Sequence, residues 1–167
     1  MDKQVQYDVS SYEVITAAII DLLNAYPGLA DGETIGFATL DEDCGKAMFP
    51  QGGAIIMSDK TDIMGEHYQT CQYPFYVFYR AGGLTDSRRA AVKEWLDNLG
   101  CWLEGQQITA GGTTAELTKY PTLSGNREFT QIKRQSPAFL NGVNENNTED
   151  WAITISAQYT NTFKSMR

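Results

Sequence analysis

Residues 73–80, Tyr73-Pro74-Phe75-Tyr76-Val77-Phe78-Tyr79-Arg80, constrain this chain more than any other stretch. Strand side chains alternate between two faces, so Tyr73, Phe75, Val77 and Tyr79 fall on one side and Tyr76 and Phe78 on the other. Both sides are apolar, which predicts an inner strand buried on one face and covered by something further on the second. Gly82-Gly83 then leads into a helical pattern in which Val92, Trp95, Leu96, Leu99, Trp102 and Leu103 recur at threes and fours, with Thr85 or Asp86 placed to cap it and Gly105 to stop it. Strand, turn and helix across 72–104 form one unit, with the helix laid on the first face.

A second helix is readable near the N-terminus. Ser10 and Glu13 stand in capping-box spacing, Val9 and Val14 in the spacing of a hydrophobic staple, and Ile15, Ala18, Ile19, Leu22, Leu23 and Tyr26 form one stripe that Pro27-Gly28 ends. Residues 1–9 ahead of it are polar and read as a loose arm or docking segment. The last strand has the plainest pattern. Trp151, Ile153, Ile155, Ala157, Tyr159 and Phe163 alternate with Thr154, Ser156, Gln158, Thr160 and Thr162, as in an antiparallel strand with one wet face. Residues 34–40, 54–58 and 128–134 read as further strands, and Pro74, which cannot donate a ladder bond, is expected near a strand start or an edge. The stretches 41–53, 106–127 and 135–150 read as polar loops, with a short strand or an interface role allowed for 106–127.

The resulting order, α-β-β-β-α-β-β, predicts an α+β fold: a mainly antiparallel sheet of about five strands with two helices packed on one face. No repeat or composition break divides the 167 residues, so 1–167 is expected to be a single domain.

Chemistry is harder to find. His67 is the sole histidine, so any Ser-His-Asp or Cys-His mechanism would pass through it. Asp59, Asp62, Glu66 and His67 can be drawn as a metal or acid–base cluster, but their spacing matches no ligand motif, and a solvated polar loop is the simpler reading. Asp41-Glu42-Asp43-Cys44-Gly45 has its glycine too early for a calcium loop. The paired glycines at 52–53, 82–83 and 111–112 lack the lysine of a phosphate loop. Cys44, Cys71 and Cys101 are odd in number and widely spaced, as expected of reduced thiols rather than a zinc site or a disulfide framework. No catalytic, cofactor-binding or metal residue is assigned, and no cofactor is expected. The balance of 13 Lys+Arg against 21 Asp+Glu gives a net charge of −8, which argues against a surface that grips nucleic acid. No apolar run reaches the length of a membrane span, and no leader pattern opens the chain, so a soluble intracellular protein is expected.

The whole-chain pattern resembles the minor capsid or tail-terminator proteins of long-tailed bacteriophages and prophages. The resemblance lies in a capped helix ending Leu22-Leu23-Asn24-Ala25-Tyr26-Pro27, the segment Ala54-Ile55-Ile56-Met57-Ser58, the aromatic strand at 73–80, the Trp95/Leu99/Trp102 helix and the closing strand at 151–163. It implies a non-enzymatic virion protein, assembled in the host cytoplasm, whose protomers form a ring, commonly a hexamer, at the head-proximal end of the tail tube. Its partners would be its own copies, the tail tube protein and a head–tail connector protein, with DNA passing through unbound and no membrane involved. Another connector or head-closure protein is the alternative, and a small enzyme using Asp59, Asp62, Glu66 and His67 a more distant one. Tyr76 and Phe78, on the second face of the aromatic strand, are the expected subunit contacts, with 106–127 contributing.

Overall fold

The computed structural model describes residues 4–110 and 112–165. Within them lie helices α1 (Tyr12–Leu23) and α2 (Asp86–Leu103) and strands β1 (Ile35–Phe37), β2 (Gly45–Pro50), β3 (Ile55–Thr61), β4 (Glu66–Ala81), β5 (Ile108–Ala110), β6 (Thr113–Ala115), β7 (Arg127–Arg134), β8 (Phe139–Val143) and β9 (Glu149–Lys164). The α+β class and the mainly antiparallel sheet are as expected. The strand count is not: seven strands form the main sheet, and β5 and β6 form a separate hairpin.

The sheet is built on β4 and β9, each 16 residues long and paired antiparallel from Glu66↔Lys164 to Ala81↔Glu149. Each then has two shorter neighbours in tandem on its outer side. β3 pairs the first half of β4 and β2 the second, while β7 pairs the latter part of β9 and β8 its beginning. Among the described residues the only parallel pairing is β1 on β2.

This tandem arrangement explains Pro74, which lies in mid-strand rather than at an edge or a start. β3 begins opposite Gln72 and β2 ends opposite Phe75, so Pro74 sits where β4 exchanges one neighbour for the other. Its carbonyl accepts from Gln51 N at 3.0 Å on that side. In extended chain a residue's N–H and C=O point to the same edge, so the missing donor falls at the gap, where no ladder bond is lost.

Both helices pack on the face that carries Tyr73, Phe75, Val77, Ile153, Ile155 and Tyr159, all essentially fully buried. Thr16 Oγ1 lies 2.9 Å from the Tyr73 hydroxyl beneath α1. Gly100 brings α2 close to the strands: a Cβ there would stand 2.3 Å from Arg134 Cδ and 3.0 Å from Ile153 Cδ1. Thr85 is the N-cap of α2, its hydroxyl accepting from Arg88 N, and Gly105 ends the helix with φ +81°.

The start of α1 departs from expectation. A 3-10 turn (Val9–Ser11) precedes it, its N-cap is Ser11 with no side-chain cap bond, and Val9 is exposed, so neither the capping box nor the staple forms. Ser10 and Ser11 turn toward Asp8 instead, donating to its Oδ1 and its carbonyl. Of the N-terminal arm, residues 1–3 lie outside the described residues. The remainder is docked: Asp8 N donates to Ala54 O and Ile56 N to Gln6 O, running the arm antiparallel along β3.

The supposed loops are largely structured. The 41–53 stretch contains β2, and 135–150 contains β8. The 106–127 segment is folded onto its own protomer: Ile108 and Leu123 are buried, and the Tyr120 hydroxyl donates to Leu103 O at 2.7 Å while accepting from Ile132 N. Thr109, Thr113, Thr114, Thr118 and Lys119 remain outward.

Candidate functional site: an open sheet face and an anchored arm

Among the described residues no helix or strand packs on the second face of the sheet. It is formed by the even-numbered residues of β4 and β9, because Tyr76 lies opposite Thr154, Phe78 opposite Ala152, Pro74 opposite Ser156 and Gln72 opposite Gln158. At one end Tyr76 and Phe78 join Phe49 of β2 and Phe139 of β8, all half-buried. Phe49 and Phe78 meet edge to face with centroids 5.2 Å apart, and Tyr76 and Phe78 stand 5.6 Å apart. This aromatic layer shields Ala47 and Ala152, both 0% exposed. Tyr76 and Phe78 therefore lie where the alternation of residues 73–80 puts them, on the face left without a covering element.

Toward the other end the face turns polar but stays neutral. Between the Arg80–Asp150 ion pair and the Glu66/Lys164 position, β4 and β9 present Tyr68, Thr70, Gln72, Pro74, Tyr76 and Phe78 beside Ala152, Thr154, Ser156, Gln158, Thr160 and Thr162. None is charged, in a chain of net charge −8; Lys60, Glu128 and Lys133 lie on the flanking strands. Gln131 donates to Gln158 at 2.6 Å. Ser156, 1% exposed, is the one buried side chain among the described residues whose polar atom has no hydrogen-bond partner.

Along the β3 edge the arm is fixed by Asp8, which is 7% exposed. Arg127 grips its carboxylate from Nε at 3.1 Å and Nη2 at 2.9 Å, and the Tyr159 phenol donates to it at 2.7 Å. Burial pushes the Asp8 carboxyl up, but the bonds from Arg127 and Tyr159 outweigh it and hold it below its ordinary value. Burial also raises the Tyr159 phenol strongly, keeping it a donor. Nothing local in the sequence marks this cluster, since its partners come from the arm and from strands more than a hundred residues later.

The imagined Asp59/Asp62/Glu66/His67 cluster forms only in part. His67 Nδ1 lies 3.0 Å from Asp59 Oδ1 and 3.2 Å from Thr61 Oγ1, and the ring stacks on Phe163 at 4.7 Å. Bonds from His67 and Gln69 hold the Asp59 carboxyl below its ordinary value. Asp62 instead braces the β3–β4 turn, accepting from Met64 N and Glu66 N, and Glu66 lies opposite Lys164 on the open face. Among the described residues no serine or cysteine hydrogen-bonds to His67, and no three His, Cys, Asp or Glu side chains converge to hold a metal ion. Cys71 is fully buried, its thiol pushed up to about 11 by burial, which makes it a poor nucleophile. Cys44 is exposed and Cys101 half-buried, and all three are free.

Lys46, which the sequence did not single out, has its ammonium 4.1 Å from the Tyr79 ring centroid and 5.1 Å from that of Trp95, and it pairs with Glu33. This cation–π pocket pins β2 to β4 and α2 and is filled by the protein's own lysine. Among the described residues no helix is long and apolar enough to cross a membrane. No protein-family model matches the chain, and no curated protein matches it.

Proposed function

We propose that this chain is a structural virion protein, a tail terminator or minor capsid component that closes into a ring at the head-proximal end of a phage tail tube and joins tail to head. The observation that carries the reading is the open sheet face, with half-buried Tyr76 and Phe78 in its aromatic end and no helix or strand among the described residues above it. An antiparallel sheet commonly leaves one face to water, and that face is then polar; a neutral face that carries Phe49, Tyr76, Phe78 and Phe139 suits instead the core of a protein contact, which is depleted in charge and enriched in aromatic residues. The whole-chain resemblance supplies the role: self-association as a hexamer, with the tail tube protein on one side and a head–tail connector on the other.

The charge is consistent with this role. At −8 the protomer would repel a DNA phosphate backbone rather than hold it, as a lumen requires. Because 106–127 spends its apolar residues on its own core, its contribution to a contact would come through its outward threonines and Lys119.

Replacing Tyr76 or Phe78 by glutamate and measuring mass by light scattering tests the reading. Loss of assembly with an unchanged circular dichroism spectrum is expected, and a ring of unaltered mass would overturn the assignment of this face.

A further inference from the structure

A ring closes head to tail, so it needs two different patches on each protomer. We propose that the second patch is the anchored arm at the β3 edge, and that it docks on the open sheet face of a neighbouring copy. The inference rests on the self-assembly reading and names its missing half.

Asp8 is drawn inward by Arg127 and Tyr159, and that forces its sequence neighbours outward: Tyr7 is 52% and Val9 81% exposed. With Val5, Tyr12 and Met57 they make five of the eleven exposed large apolar side chains among the described residues, gathered along one edge. A free arm could fold these groups away from water; a buried bidentate ion pair prevents it. The chain thus holds apolar side chains in solvent on a rigid mount, the arrangement of an anchor awaiting a partner. Tyr7, Val9 and Tyr12 also line, with Gly53 and Ala54, an open hollow of about 300 Å³.

Three considerations select a second copy as the partner. Copies of charge −8 repel, so contact between them is least costly through uncharged surfaces, and Val5, Tyr7, Val9 and Tyr12 are as free of charge as the middle of the open face. The face is large enough: sixteen residues long and four strands wide, with its charges confined to the flanking strands and the two ends, it spans about 1,000 Å² at ordinary strand dimensions, against about 800 Å² per partner in a stable interface. Finally, an edge of one copy meeting the face of the next turns each copy relative to the last, as closure requires, whereas face on face would stop at a dimer.

The test uses the full chain with Val9→Glu, which disables the arm, and Phe78→Glu, which disables the face; Tyr76→Glu replaces the latter if circular dichroism shows it unfolded. Each variant alone is expected to associate at least tenfold more weakly than the unsubstituted protein in sedimentation velocity. Mixed, the two retain one intact arm–face contact per pair, so a 1:1 complex of twice the 18.6 kDa protomer mass is expected, and no larger species. Unsubstituted protein that assembles while Val9→Glu assembles equally well overturns the arm assignment and leaves the ring reading standing, as does a mixture that forms no complex. Unsubstituted protein that stays monomeric at every concentration overturns both.

Discussion

At the scale of single residues, Asp8 is the most consequential group in the molecule. Truncating it to alanine leaves Arg127 without its partner in a nearly buried site, and a loss of about 3 kcal/mol is expected in urea unfolding. Its pH dependence follows from the direction of its shift. A carboxyl held below its ordinary value contributes stability that is present above the unfolded value, near 4, and is lost as pH falls through the folded one. The difference in unfolding free energy between the protein and Asp8→Asn should therefore be steady around neutrality and shrink below about pH 4. Gly100 makes a second residue-level case: Gly100→Val drives a branched side chain into Arg134 and Ile153 and is expected to cost about 2 kcal/mol or more, read in the same titration. The thiols give a third: under native conditions a thiol reagent should modify Cys44 fast and Cys71 only on unfolding, and fast labelling of Cys71 would contradict its burial. Little of this was legible in advance. A glycine in a helix shows no neighbour in the sequence, and Asp8 meets Arg127 across 119 positions.

Among the elements, those governed by local periodicity were readable and those governed by pairing were not. Both helices lie where the three–four repeat of apolar residues puts them, and the alternation at 151–163 correctly named the buried face of β9. β2 escaped because Gly45-Lys46-Ala47-Met48-Phe49-Pro50 has no alternation and sits among acidic and glycine residues; it is a strand because β4 offers it a free half-edge. β8 escaped for the same reason, lying in an asparagine-rich stretch and existing only against the start of β9. The capping box failed at α1 because Asp8 competes for Ser10 and Ser11 and wins with a buried network. Of the candidate site, the two faces of the aromatic strand could be read from residue types alone, whereas the arm's role could not, because it depends on which residue is pulled inward. The β3–β4 hairpin yields a prediction of its own. His67→Ala removes a bond that holds the Asp59 carboxyl down, so Asp59 should titrate higher by NMR, toward its ordinary value, while the fold is retained. An unmoved Asp59 would mean that Gln69 alone sets its titration.

For the whole molecule, the architecture is lopsided. One face of a seven-stranded sheet bears both helices, the β5–β6 hairpin and the core, and the other bears no helix or strand among the described residues, while one edge holds apolar side chains in water on a fixed mount. A protomer with an open face and a rigid edge anchor is half of two contacts, and a ring of copies completes both. The uncharged rows of the face make that contact tolerable in a protein whose charge is otherwise strongly negative. Sedimentation velocity of the unsubstituted protein across a wide concentration range, with negative-stain imaging of the same samples, tests this most directly. The expected result is a single discrete oligomer with ring-shaped particles that replaces the monomer as concentration rises. A monomer throughout, or an open-ended series of ever larger species with no closed particle, would contradict it.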